Sequence, residues 1–349
     1  MVWKLPAAGR DALHQRIDEA LAGPVALAEN SRMVQWGRTT VRHRAEAICD
    51  SSLKGVVLGL LDDPTPYCDP QAGLSRLSFE VAAGGSWLGH HPYPGGLVVH
   101  TAVNLRRALD SAALYREVYG LAVNEDLLAA AVILHDVMKS YSNQFYPRWD
   151  ADTGCFFEPA TVRKGGLFAK WGDVRTMGHH NEMVVAELMV RAAPPELVFA
   201  THCHQDQYAD SRRNHRFVPP GDETWERTVE EALGKIPPTV GAPYRDSYLD
   251  ERFRTVEAGL NYLSDGDWVI TGAKAGPIAR RALAAVTGAG GVAPDGRDAN
   301  LTALWLYSKL DPMRILGEWQ IGGMDAAQDL IVATLIDPGD LVVSSQVSG

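Results

Sequence analysis

Apolar residues recur at spacings of three and four along most of the chain, while period-two alternation is scarce, so the sequence predicts a mainly α protein. An amphipathic run covers Asp11 to Ala22 and a longer one Val41 to Leu61, before a Pro-rich break from Asp63 to Pro70. The Pro and Gly content of His90 to Gly96 predicts a loop, followed by a helix from about Leu97 to Tyr119. Its inward positions are Leu97, Ala102, Leu105, Ala108, Leu109 and Ala112, with His100, Asn104 and Arg107 together on the other face. A second helix is expected from Asn124 to Lys139, its stripe formed by Leu127, Leu128, Ala131, Val132 and Leu134 and its C-terminal end carrying His135 and Asp136. Periodicity fails from Tyr141 to Thr176, which predicts a long loop or a short hairpin near Cys155 to Val162. Helical pattern returns over Asn181 to Arg191 and, after Pro194-Pro195, up to His202. Gln205 to Arg245 reads as irregular, and further helices are expected over Tyr248 to Leu263, Gly276 to Val286 and Leu301 to Asp311.

The chain has 349 residues, 46% of them hydrophobic, enough to bury a large core. Three segments are expected: residues 1–90 as N-terminal helices, 91–320 as a central domain with an insertion over about 205–300, and 321–349 as a C-terminal helix and tail. No apolar run is long enough to span a bilayer and no secretory signal is visible, which places the protein in the cytoplasm. Cys49, Cys68, Cys155 and Cys203 lack CxxC spacing, against a disulfide framework or a thiolate zinc site. The net charge of −10 disfavours sequence-independent nucleic-acid binding. It leaves room for a local cationic mouth, for which Arg148, Arg163 and Arg212 are the candidate substrate contacts.

The candidate chemistry lies in an ordered series: His100, His135-Asp136, His179-His180, His202-Cys203-His204 and, far downstream, Asp311. Imidazole and carboxylate without thiolate suit a divalent transition metal such as Mn, Fe, Co, Ni or Zn, with Mg possible, in a reactive rather than a structural site. Each residue alone has a bland reading as a hydrogen-bonded core or surface group. For Asp311 that reading is an N-cap for a helix starting at Pro312; Asp265, Asp267 and Asp298 are the other late carboxylates. His90 and His91 belong either to a turn or to a wall of the site. Walker, GxSxG and HExxH motifs are absent.

The stretch Tyr93-Pro94-Gly95-Gly96-Leu97-Val98-Val99-His100-Thr101 resembles the YxGGLxxHT opening of HD domains, and Leu134-His135-Asp136-Val137-Met138-Lys139 resembles their LHDxGK signature, with Met138 in place of glycine. The order of the later histidines is similar to that of bacterial HD-type 3′-to-5′ exoribonucleases, although the helical first ninety residues do not resemble their oligonucleotide-binding barrel and no Gly-Tyr-Pro follows the paired histidines. The resemblance implies an HD-domain helical bundle around a metal site, with N-terminal helices and an inserted loop-rich segment. It implies two ions held by His100, His135, Asp136, His179, His202 and Asp311, the members of each histidine pair being interchangeable. Lys139, Asp136, His180 and His204 would be catalytic, and the reaction hydrolysis of a nucleotide or other small phosphomonoester or phosphodiester through a metal-bound hydroxide. The same ligand order is similar to that of HD-type diiron oxygenases, and a metal-dependent binding or signalling module is the third reading.

Overall fold

Residue chemistry sets the helix boundaries in this computed structural model, which describes residues 3–64, 77–85, 90–142, 148–150, 155–157, 180–202, 223–245, 255–293 and 296–339. The N-terminal part forms α1 (Ala7–Ala20), α2 (Pro24–Glu29), α3 (Arg32–Ala47) and α4 (Ser51–Asp62). The long run expected from Val41 to Leu61 is therefore two helices. Ile48 leaves helical geometry, and the Asp50 carboxylate accepts from the N–H groups of Ser52 and Leu53, at 2.8 and 3.1 Å, to start α4 afresh.

Two central helices follow, α5 (Gly96–Tyr119) and α6 (Glu125–Leu134), then the single turn α7 (Lys139–Ser142). Asn124 caps α6 through two side-chain hydrogen bonds, and every residue from Leu127 to Leu134 is buried. A helix apolar all round must be surrounded, and α3, α4, α5 and a pair of later helices pack on α6. The helix ends at Leu134, so His135 and Asp136 stand in the turn beyond it rather than on its last turn. The first half of α5 is buried on both faces: His100 and Asn104 are as inaccessible as Ala102 and Leu105, which corrects the expected division into an inner and an outer face.

A hairpin is present but begins earlier than the expected Cys155 to Val162, as the antiparallel pair β1 (Arg148–Asp150) and β2 (Cys155–Phe157), with Trp149 opposite Phe156. After it come α8 (His180–Val190) and α9 (Pro195–His202). Part of the stretch expected to be irregular is helical, as α10 (Glu223–Lys235) and α11 (Pro238–Arg245). Val229, Ala232 and Leu233 form a buried stripe on α10, a periodicity masked in the sequence by the polar residues around it.

The chain continues with α12 (Val256–Ser264), the turn α13 (Trp268–Ile270), a π-helical turn (Thr271–Ala275) and α14 (Gly276–Ala289). The last two helices are α15 (Arg297–Lys309) and α16 (Pro312–Ile336). One hydrophobic core runs from Leu5 to Leu335, α1 packing on α15 and α16 while α9 and α12 close over α6. Among the described residues no helix is long and apolar enough to cross a membrane.

Candidate metal centre

Three chain segments converge beside the end of α6. His100 comes from α5, four residues beyond its start at Gly96, and His135 and Asp136 come from the turn after α6. Asp265 closes the group from the C-terminal end of α12, where it is the cap residue. His100, His135 and Asp136 are 0% exposed and Asp265 3%. His100 Nε2 lies 3.2 Å from His135 Nε2, 3.1 Å from Asp136 Oδ2 and 3.1 Å from Asp265 Oδ1. His135 Nε2 is 3.3 Å from Asp136 Oδ2, and the four donor atoms all fall within 4.8 Å of one another.

Hydrogen bonding alone does not explain this crowding, because one ring nitrogen offers either one proton or one lone pair. Donors held at about 2.1 Å from a common transition-metal ion sit roughly 3.0 to 3.4 Å apart when adjacent, the spacing seen here for His100 with its three neighbours and for His135 with Asp136, while His135 Nε2 and Asp265 Oδ1 are 3.9 Å apart. Tautomer control points the same way. His135 Nδ1 donates to Val132 O at 2.6 Å, which leaves Nε2 with its lone pair toward the cluster. Asn104 Nδ2 donates to Asp265 Oδ1 at 3.1 Å and holds that carboxylate in place.

Charge balance is the second argument. Two carboxylates about 4 Å apart repel by about 4 kcal/mol at an effective dielectric of 20. Burial alone would raise the pKa of Asp136, yet Lys139, His135 and His100 hold it well below the usual carboxylate range. Asp265 is likewise held low against its burial, chiefly by His100. The His100 ring is raised well above its ordinary value, the nearby carboxylates of Asp136, Asp265 and Asp267 outweighing burial. Without an ion the group thus recruits protons and the Lys139 ammonium, which donates to Asp136 Oδ2. The donor set fits a divalent cation in place of the protons.

Comparison with known proteins adds one relative. The chain is similar to the dihydroneopterin 2′,3′-cyclic phosphate phosphodiesterase of Methanocaldococcus jannaschii. The two are 32% identical over 171 residues, 49% of this chain and 60% of that protein, so the chain spans less than two thirds of the curated relative it matches. The similarity is that of a distant homologue of a phosphodiesterase. No family model matches the chain, and no solved structure does.

Several sequence-selected residues come together here and others do not. His180, the first residue of α8, places Nε2 3.1 Å from Asp136 Oδ1, so the two oxygens of Asp136 face different histidines. His202 is buried at the end of α9. Asp311 is absent from the cluster: it is the N-cap of α16, accepting from Met313 N at 2.9 Å, while Oδ2 accepts from Tyr93 Oη at 3.0 Å and lies 3.1 Å from His91 Nδ1. Of Arg148 only the position in β1 is described, and His179, His204, Arg163 and Arg212 lie outside the described residues.

Asp265, held in reserve by the sequence reading, is thus the carboxylate that reaches His100. A signal for it exists: Asp265 and Asp267 follow the C-terminus of an apolar helix, where the dipole disfavours anions and a cationic partner is needed. His91 is the other residue left open. It is 5% exposed and adopts φ +49°, a conformation that costs a non-glycine residue about 1 to 3 kcal/mol and persists only where surroundings impose it. Its Nε2 lies 2.9 Å from Asp267 Oδ2, and its main-chain carbonyl accepts from Gly84 N at 3.0 Å. Burial would favour the neutral ring, but Asp311 and Asp267 outweigh it and raise the pKa of His91 to about 9.

Proposed function

We propose that the chain is a metal-dependent phosphohydrolase of the HD type, acting on a small phosphodiester. The observation that carries this reading is the buried convergence of His100, His135, Asp136 and Asp265, the four residues assigned here as ligands of the principal ion. The phosphodiesterase among its relatives supports the reaction class, and the cyclic phosphate in that protein's name makes a cyclic phosphodiester the first substrate to try.

A bound ion of this kind lowers the pKa of water and draws charge from a phosphoryl oxygen. The rest falls to the chain. Asp136 presents Oδ2 to the principal position and Oδ1 to His180, the geometry of a carboxylate shared between two ions, with His180 taking the ligand role that the sequence gave to His179. Lys139 clamps the orientation of Asp136 and supplies a buried positive charge near the phosphate. His202 is assigned to the second position, and Arg148, Arg163 and Arg212 retain their proposed role as substrate contacts.

The test is hydrolysis of bis(p-nitrophenyl) phosphate and of a 2′,3′-cyclic nucleotide by full-length protein loaded with Mn(II), beside Asp136→Ala. The wild type should turn over at least one of them, and the variant should fall to the uncatalysed background with its far-ultraviolet circular dichroism unchanged. A folded Asp136→Ala protein that keeps both its activity and its metal would sink the reading.

A further inference from the structure

A second group of donors adjoins the first and shares His100 and Asp265 with it. His90, His100, Asp265 and Asp267 each offer one ligand atom, and these atoms lie within 4.8 Å of one another. His90 reaches the place by ring packing, its centroid 4.6 Å from that of His100. Buried polar atoms ordinarily find hydrogen-bond partners. Here three do not: His90 Nε2, His100 Nδ1 and Asp267 Oδ1.

The asymmetry of Asp267 makes the point sharper. Its Oδ2 is 2.9 Å from His91 Nε2, so one oxygen is fixed. The other, Oδ1, is left with His100 Nδ1 standing off at 3.7 Å, too far for a hydrogen bond. A strained, buried His91 thereby holds a carboxylate that faces the one ring nitrogen of His100 without a hydrogen bond.

We infer that His90, Asp267 and Asp265 form an additional divalent-cation site that shares the Asp265 carboxylate with the principal ion. One imidazole and two carboxylates suit Mn(II), Fe(II) or Zn(II), and the shared carboxylate is the arrangement that sets paired ions about 3.5 to 4 Å apart. His100 remains a ligand of the principal ion through Nε2, with Nδ1–H turned toward Asp267. The inference takes the principal site from the proposed function but does not need the reaction.

Mn(II) titration of metal-free, full-length protein tests it, followed by elemental analysis after desalting and by electron paramagnetic resonance. His90→Gln and Asp267→Asn should each bind one equivalent fewer than the wild type and change the exchange-coupled Mn signal, while the principal ion stays. His90→Asp, which restores a donor, should recover the missing equivalent. Equal stoichiometry in the wild type, His90→Gln and Asp267→Asn would overturn the site and leave a buried water as its occupant. A wild type inactive on every phosphodiester that still loses one equivalent in His90→Gln would end the hydrolase reading and leave this one standing.

Discussion

Two aspartates that the sequence could not rank turn out to do different work. Asp265 faces three ligand-type side chains, whereas Asp311 caps α16 and balances His91. Asp265→Asn should therefore empty the principal site with little change in the stability of the metal-free protein. Asp311→Ala should leave metal content intact but cost about 2 to 4 kcal/mol in urea unfolding, a lost cap plus a buried imidazolium without its carboxylate. Metal loss in Asp311→Ala, or retention in Asp265→Asn, would reverse the assignment. His100, His135 and Asp136 were legible because two of them are adjacent and all sit beside strong apolar stripes. The position of Asp265 after an apolar helix marks it as needing a cationic partner but does not name that partner, since only tertiary packing brings α12 alongside α5.

Among the elements, the pair α3 and α5 decides how precisely His100 is placed. A Cβ added at Gly37 on α3 would lie 3.0 Å from Val98 O, on the α5 backbone two residues before His100. Neither backbone can yield locally. Gly37→Ala should destabilise the protein by roughly 1 to 3 kcal/mol and weaken Mn(II) binding, read by thermal unfolding and by titration. An unchanged melting temperature would mean that the two helices slide freely. Most helices were legible from their periodicity, and α5, α6 and α9 lie within a few residues of where it put them. The failures have local causes: Asp50 restarts the chain as α4, and α10 hides its stripe among charged residues. The π-helical turn after Asp267 had no sequence signature; Thr271 Oγ1 donates back to Asp267 O at 2.7 Å and steadies the turn that presents the carboxylate.

At the scale of the whole molecule, one core joins α1 to α16. The expected N-terminal segment, residues 1–90, shares that core through Leu13, Val34 and Val57. Calorimetry should give a single cooperative transition, raised by added Mn(II) and lowered by a chelator, because an ion bound only to the folded state stabilises it by mass action. Two transitions would separate the first ninety residues as a unit of their own. The order of the ligands along the chain bears on how such a protein is made. His100, His135 and Asp136 leave the ribosome long before Asp265, so a nascent chain holds three of the four proposed donors, with buried-type charges and nothing to close the set. Ion capture therefore belongs to the end of synthesis, and any shortened product that stops before α12 would compete for chaperones rather than for metal.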